Sequence, residues 1–262
     1  MTAQRTVHTL SPFGVELTAS PPGATLESLL RPDFLTSQLA RHRVLIFRGF
    51  APLPGDGLVD FCRRFGELQD FDFGKINELR VKEGSPNYLF TTAAVPLHWD
   101  GAFLGQVPSA IFFQCEAAPA EGTGGETLFS DTTRVLAAAP AERRALWEKV
   151  RITYVTEKKV HYGGRFTSPL LGRHPRTGEE TLRFAEPVSD LNPVTLEIEG
   201  IPPSDHAAFL EDLRRRLYDP AVCLAHAWRA GDYVVADNHA LLHGRRAFAD
   251  AGRRHLRRVN IL

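Results

Sequence analysis

Tyr233-Val-Val-Ala-Asp-Asn-His-Ala-Leu-Leu-His-Gly244 can be read in two ways, and the choice decides what kind of fold this chain has. His239 and His243 stand four residues apart, so on a helix both imidazoles would face one side. The preceding Tyr233–Ala236 run is apolar and β-branched and reads as a strand, and Gly244 follows His243 directly. Both features argue against a helix here. On the strand reading one histidine acts and the other is merely nearby. These residues alone leave open which one.

Downstream lie six arginines: Arg245, Arg246, Arg253, Arg254, Arg257 and Arg258. Most fit a solvated basic edge. If residues 253 to 261 form a strand, Arg254, Leu256 and Arg258 share one face, and Arg253, His255 and Arg257 the other. Arginines turned inward need anions. A planar guanidinium takes a carboxylate through two parallel bonds. One inward arginine could serve a cosubstrate carboxylate and one a substrate acid.

Upstream stands Leu97-His-Trp-Asp-Gly101. A strand sends residues i and i+2 to one face, so His98 and Asp100 can aim at one point. Two histidines and one carboxylate on one side of an ion form the facial triad of non-haem Fe(II) oxygenases. His-x-Asp alone is weak, and its bland reading is a hydrogen-bonded pair at a strand end.

Around these pieces the chain reads mainly as strands: Arg43–Arg48, Ser109–Cys115, Glu126–Ser130, Arg151–Val155, Thr181–Phe184, Tyr233–Ala236 and His255–Ile261. Helical spacing appears over Gly57–Phe65, Ala141–Val150 and Ser204–Leu217, the last with Ser204 and Asp205 as capping groups. Short strands punctuated by Gly/Pro turns suggest a sandwich, barrel or jelly roll. We expect one domain over residues 1–262, mainly β with flanking helices.

Bulk composition narrows the partners. The 262 residues carry 31 acidic and 31 basic groups, with no basic excess of the kind nucleic-acid binders show. Cys62, Cys115 and Cys223 are scattered and give neither a disulfide framework nor a zinc knuckle. The opening stretch Met1–Leu17 does not read as a signal peptide, and no run approaches the roughly 20 apolar residues of a membrane span. The expectation is a soluble cytoplasmic protein with a small-molecule substrate and no nucleic-acid or membrane partner. Self-association into a homo-oligomer is compatible with the sequence.

Taken together and in order, the motifs resemble the taurine dioxygenase family of Fe(II)/2-oxoglutarate enzymes. The resemblance runs from Arg41 to the end. It rests on His98 and Asp100, on Gly124-Gly-Glu-Thr127, on Asp237-Asn238 with His243, and on Arg254 and Arg258, 11 and 15 residues after that histidine. It implies a double-stranded β-helix, a jelly-roll barrel with Fe(II) in one mouth held by His98, Asp100 and His243. It also implies 2-oxoglutarate as cosubstrate, bound by Arg254 and Thr127, and O2 as oxidant. Arg258 stands where relatives hold the cosubstrate or an acidic substrate. There are departures: Ala236 replaces a frequent Trp beside the cosubstrate, and Ala94 replaces an Asn that helps hold taurine.

Local phrases are closer to a subgroup that tailors isonitriles derived from tyrosine or tryptophan, of the paerucumarin-pathway type. They are His98–Phe103, Val107–Phe113, Thr156–Gly164 and Leu182–Pro187. That resemblance implies oxidation of an isonitrile carboxylate, often to a vinyl isonitrile with loss of CO2. Phe103, Lys158, His161 and Tyr162 are substrate-contact candidates, with Trp99, Phe166, Phe184, Lys159 and Arg183 nearby. Segment 157–164 reads equally as a lid or an exposed loop. Halogenases of this type lack the carboxylate at position 100, which leaves hydroxylation or desaturation. The rivals are a hydroxylase of another small acid, a non-catalytic metal-binding jelly roll, a zinc hydrolase with no role for Arg254, and a nucleic-acid-modifying dioxygenase.

Overall fold

Val44-Leu-Ile-Phe47 is apolar on both parities, so a strand built from it must be covered on both faces. The computed structural model describes residues 4–85, 87–157, 164–191, 193–249 and 254–262. The first strands are β1 (Gln4–Thr9), β2 (Val15–Ser20), β3 (Val44–Arg48), β4 (Asn77–Arg80), β5 (Val95–His98), β6 (Ala110–Ala117) and β7 (Thr127–Asp131). Then follow β8 (Arg151–Thr156), β9 (Gly164–Pro169), β10 (Leu171–Arg173), β11 (Glu180–Leu182) and β12 (Thr195–Glu199). The last are β13 (Cys223–His226), β14 (Tyr233–Asp237), β15 (Leu241–Arg245) and β16 (His255–Ile261). Helices α1 (Leu26–Leu29), α2 (Pro32–His42), α3 (Gly55–Arg63), α4 (Thr132–Ala138), α5 (Ala141–Trp147) and α6 (His206–Leu217) flank them.

A seven-stranded sheet runs β1-β2-β3-β14-β6-β16-β4, and a four-stranded sheet runs β13-β7-β15-β5. Their inner faces meet in one buried cluster: Val44, Ile46, Ile111, Phe113, Val234 and Leu256 from the first, with Phe129, Leu224 and Leu241 from the second. The opposite parity of the large sheet, Leu45, Phe47, Phe112, Tyr233, Val235 and Val259, packs under Leu35 and Leu39 of α2 and Leu58 and Phe61 of α3. Outside the small sheet, Leu97, Leu128 and Leu242 pack against Trp147, Ile152, Tyr154, Leu213 and Leu217. This three-layer arrangement is the expected jelly roll, and it explains why β3, near the middle of the large sheet, is apolar on both faces over Val44–Phe47. Among the described residues no helix is long and apolar enough to cross a membrane.

Some boundaries differ from the sequence expectation. The helix beginning at Ala141 ends at Trp147. Pro203–Asp205 form a 3-10 turn before α6, and Asp205 makes no side-chain cap. Instead Ser204 Oγ donates to the Asp205 carboxylate at 3.1 Å, so the two polar groups satisfy each other and not the helix end. The Thr181–Phe184 strand runs Glu180–Leu182 and pairs with β10.

Candidate functional site

β15 pairs antiparallel with β5, and His243 lies directly across from His98. Directly opposed residues share a face, and the two imidazole centroids are 4.3 Å apart. The strands meet closely because position 244 has no side chain: a Cβ there would lie 2.6 Å from the Val95 carbonyl oxygen. This removes the helical option for Asp237–Gly244. His239 sits in the turn before β15, where its Nδ1 accepts from the Arg183 guanidinium at 3.1 Å.

Asp100 does not continue the strand of His98, contrary to the parity expectation. β5 ends at His98, and a turn brings the carboxylate round. Gly101 has φ +102°, and a Cβ there would stand 2.6 Å from the Gln106 carbonyl, so the turn folds tightly onto residues 106–108. Asn238 fixes it. Its Oδ1 accepts the Asp100 N–H at 3.0 Å, and its Nδ2 donates to the carbonyls of Asp100 and Pro108 at 3.0 and 2.9 Å.

Asp100 Oδ1 lies 3.8 Å from His98 Nε2 and 3.9 Å from His243 Nε2. An ion that takes such donors at roughly 2.1 Å can bridge atoms up to about 4.2 Å apart. His98 Nδ1 is 2.8 Å from the Pro96 carbonyl, which can only accept. Nδ1 therefore carries the proton and Nε2 the lone pair. Burial holds His98 below its usual pKa, and burial with His98 alongside pushes His243 down to about 3, so both rings are neutral. Burial alone would raise the Asp100 carboxyl, but Arg258 and then the two histidines hold it below the usual range. His243 Nε2 is buried without a hydrogen bond among the described residues. One ligand atom each of His98, Asp100 and His243, all within 4.8 Å of one another, fit a metal ion.

The inward arginines follow the predicted parity: Arg254, Leu256 and Arg258 are buried. Arg258 Nη1 lies 3.0 Å from Asp100 Oδ2 and donates to Oδ1 at 3.3 Å. Arg254 donates from Nε to the Gly125 carbonyl at 3.2 Å, and no carboxylate pairs with it among the described residues. Burial, with Arg245 next, pushes Arg254 down to about 9. A guanidinium keeps its proton at working pH, so the same burial favours an anion against it. Thr127, four per cent exposed, accepts from Trp228 Nε1 at 2.9 Å. Arg245 is taken up by the carbonyls of Tyr88, Leu89, Thr91 and Ala93 and holds that loop against the barrel.

A cavity of about 640 Å³ opens over the triad and is lined by His98, Asp100 and Arg258 together with Phe71, Phe73, Tyr88, Phe90, Trp99, Phe103 and Tyr154. Phe103 and Trp99 thus stand where the sequence suggested. Phe184 is core packing, and Phe166 packs at the edge of the same cluster. Lys158, Lys159, His161, Tyr162 and Arg253 lie outside the described residues. Sequence reasoning missed the rings at 71, 73, 88 and 90, which come from segments too short for periodicity, Tyr88 and Phe90 from a single 3-10 turn. It also missed Asn77, Asn238 as a clamp, and Trp228.

The model of the family described as "Taurine catabolism dioxygenase TauD, TfdA family" matches residues 6–260. The 3-((Z)-2-isocyanoethenyl)-1H-indole synthase of Fischerella ambigua is 44% identical over 99% of this chain and 96% of its own. The tyrosine isonitrile desaturase of Pseudomonas aeruginosa is 40% identical over 95% of this chain and 87% of its own. The crystal structure of PvcB from Pseudomonas aeruginosa superposes with a TM-score of 0.84 at 36% identity, covering 100% of this chain and 92% of that one. PvcB is an Fe, alpha-ketoglutarate dependent oxygenase from an isonitrile synthetic pathway.

Proposed function

The chain belongs to the TauD, TfdA dioxygenase family; it is an Fe(II)- and 2-oxoglutarate-dependent oxygenase, and we propose that its substrate is an isonitrile carboxylate made from tyrosine or tryptophan. The whole chain serves one catalytic domain. Three free thiols, at Cys62, Cys115 and Cys223, suit a reducing cytoplasmic setting.

In this reading His98, Asp100 and His243 hold Fe(II). Arg254 and Thr127 hold the far carboxylate of 2-oxoglutarate, and Arg258 faces the substrate acid. The rings around the cavity, Phe103 among them, take the aromatic side chain. The observation that carries the proposal is the convergence of one ligand atom each from His98, Asp100 and His243 within 4.8 Å of one another, His243 Nε2 having no hydrogen-bond partner among the described residues, at the floor of an aromatic-lined cavity. The two relatives named for indole and tyrosine isonitriles support the substrate class.

The bound iron supplies oxygen activation at the expense of 2-oxoglutarate, which becomes succinate and CO2. The protein's part is placement. Neutral imidazoles and an ionised Asp100 present lone pairs inward, and the rings exclude water and fix the substrate's benzylic carbon. Desaturation with loss of the carboxylate balances when the substrate loses CO2 and two hydrogens, and those hydrogens leave as water with one oxygen atom of O2. Hydroxylation keeps the carboxylate and adds that oxygen atom.

The test is anaerobic titration of the purified protein with Fe(II) and then 2-oxoglutarate, followed through the weak visible band of the chelate. Aerobic turnover with tyrosine and tryptophan isonitrile acids follows, read by product mass. A band, succinate formation and a product lacking CO2 and two hydrogens support the proposal. Succinate formation coupled only to other small acids would reassign the substrate. A wild type that gives no band and consumes no 2-oxoglutarate would sink the cofactor assignment.

A further inference from the structure

We infer that Asn77 is a specificity-determining residue that, together with Arg258, reads the carboxylate of the substrate; the inference rests on the substrate class just proposed. Asn77 and Arg258 are directly opposite each other on β4 and β16, and the next pair on the same face is Leu79 and Leu256. Both leucines belong to the core between the two sheets. Directly opposed residues share a face, and i, i+2 neighbours keep it. Asn77 and Arg258 therefore also point inward, one pair nearer the mouth. Each is six per cent exposed, and both line the cavity over the triad.

The polarity of Asn77 has no structural use. Among the described residues nothing hydrogen-bonds its side-chain amide, whereas Glu78, on the other face of β4, pairs with His255 and Arg257. An apolar residue at 77 would continue the leucine layer, whereas the amide places a donor and an acceptor at the wall of the cavity. Beside it Arg258 commits Nη1 to Asp100, and among the described residues nothing takes up its Nη2. An amide donor and an unused guanidinium N–H on adjacent strands, facing one cavity, suit a carboxylate that arrives with the ligand. They select for the acid over its neutral ester, since hydrogen bonds to a charged group are the stronger ones.

The experiment is calorimetric titration of the Fe(II)- and 2-oxoglutarate-loaded protein, without O2, with tyrosine and tryptophan isonitrile acids and their methyl esters. Wild type is compared with Asn77→Leu and Asn77→Ser. The expected result for Asn77→Leu is a loss of about tenfold in affinity for the acid, one charge-assisted hydrogen bond, with little change for the ester. Asn77→Ser, which keeps a donor, should recover part of that loss. Equal losses for acid and ester, or none for either, would overturn the inference while leaving the enzyme reading intact. A wild type that binds neither acid would overturn the substrate reading and this inference with it.

Discussion

Two aspartates largely withdrawn from solvent, Asp100 and Asp237, lie on either side of Asn238, and they are treated in opposite ways. Asp237 is saturated. His174 Nε2 donates to it at 3.0 Å, the N–H groups of His239 and Ala240 donate at 2.9 and 3.2 Å, and Arg43 stands 3.9 Å away. Its partners are saturated too. His174 Nδ1 accepts from the N–H groups of Arg176 and Thr177, and Arg43 grips both oxygens of Glu179. Asp100 has one charged partner, Arg258, whose Nη1 lies 3.0 Å from Oδ2 and donates to Oδ1 at 3.3 Å, and among the described residues no backbone N–H donates to its carboxylate. Both carboxyls stay ionised against the cost of burial, Asp237 chiefly through His174 and Asp100 chiefly through Arg258. A buried charge whose partners are all in the chain serves the fold, and one left short of partners is kept for something that binds.

The comparison breaks most sharply if the two aspartates respond alike. Asp100→Ala is expected to abolish Fe(II) binding and turnover while the fold survives. Asp237→Ala should cost about 2–4 kcal/mol, because it strands buried donors on His174 Nε2 and on the backbone of His239 and Ala240, each worth about 1–3 kcal/mol when left unpaired, measured by denaturant unfolding. A stable Asp237 variant, or an Asp100 variant that still binds iron, would undo the division into fold charge and site charge.

Asn238 sharpens it, since it joins the two regions. Asn238→Ala removes the clamp on Asp100, and outer partners of this kind are worth about 10–100-fold in metal affinity. Titration with Fe(II) or Co(II) should show that loss. Thr132→Ala, which removes a buried hydroxyl bond to the Ala240 carbonyl, should lower the melting temperature with metal affinity unchanged. If both variants lose affinity in step with stability, Asn238 merely holds the fold.

How much of this was legible beforehand depended on whether local pattern carried it. The apolar run at 44–47, the parity of Arg254, Leu256 and Arg258, and the order of the motifs placed the barrel and the inward arginines. The choice of His243 over His239 came from family resemblance; the physical reason, a bulged strand pairing at Gly244, is a contact between residues distant in sequence. The turn that carries Asp100 could not be seen, because Asn238 closes it from 138 residues away. Asn77 sits in a short strand, Asn77–Arg80, too brief for periodicity to reveal.

A smaller effect concerns the cosubstrate end. Because Thr127 Oγ1 accepts from Trp228 Nε1, its own proton is turned toward a further acceptor, the place an anion beside Arg254 would take. Trp228→Phe keeps the ring and loses the N–H, so 2-oxoglutarate affinity should fall about 2–10-fold, the worth of one ordinary hydrogen bond. On a Thr127→Val background the same change should add nothing further. Full additivity in that double-mutant cycle would mean Trp228 only fills space.

The smallest effect tests how closed the Asp237 side is. Burial first, and Arg183 next, push His239 down to about 4, against roughly 6.5 in an unfolded chain. Between those values the unfolded state binds the extra proton and the folded state does not. Stability therefore falls as pH falls through that window and is fully present above it. Wild type should lose more melting temperature between pH 6.5 and pH 4.5 than His239→Gln, by a modest margin because the ring is only partly buried. The variant should still bind Fe(II) at neutral pH, since His239 faces Arg183 and not the triad. Coinciding pH slopes would mean that the turn admits water and a proton freely. Loss of iron binding would return His239 to the ligand set and remove the contrast between the two aspartates.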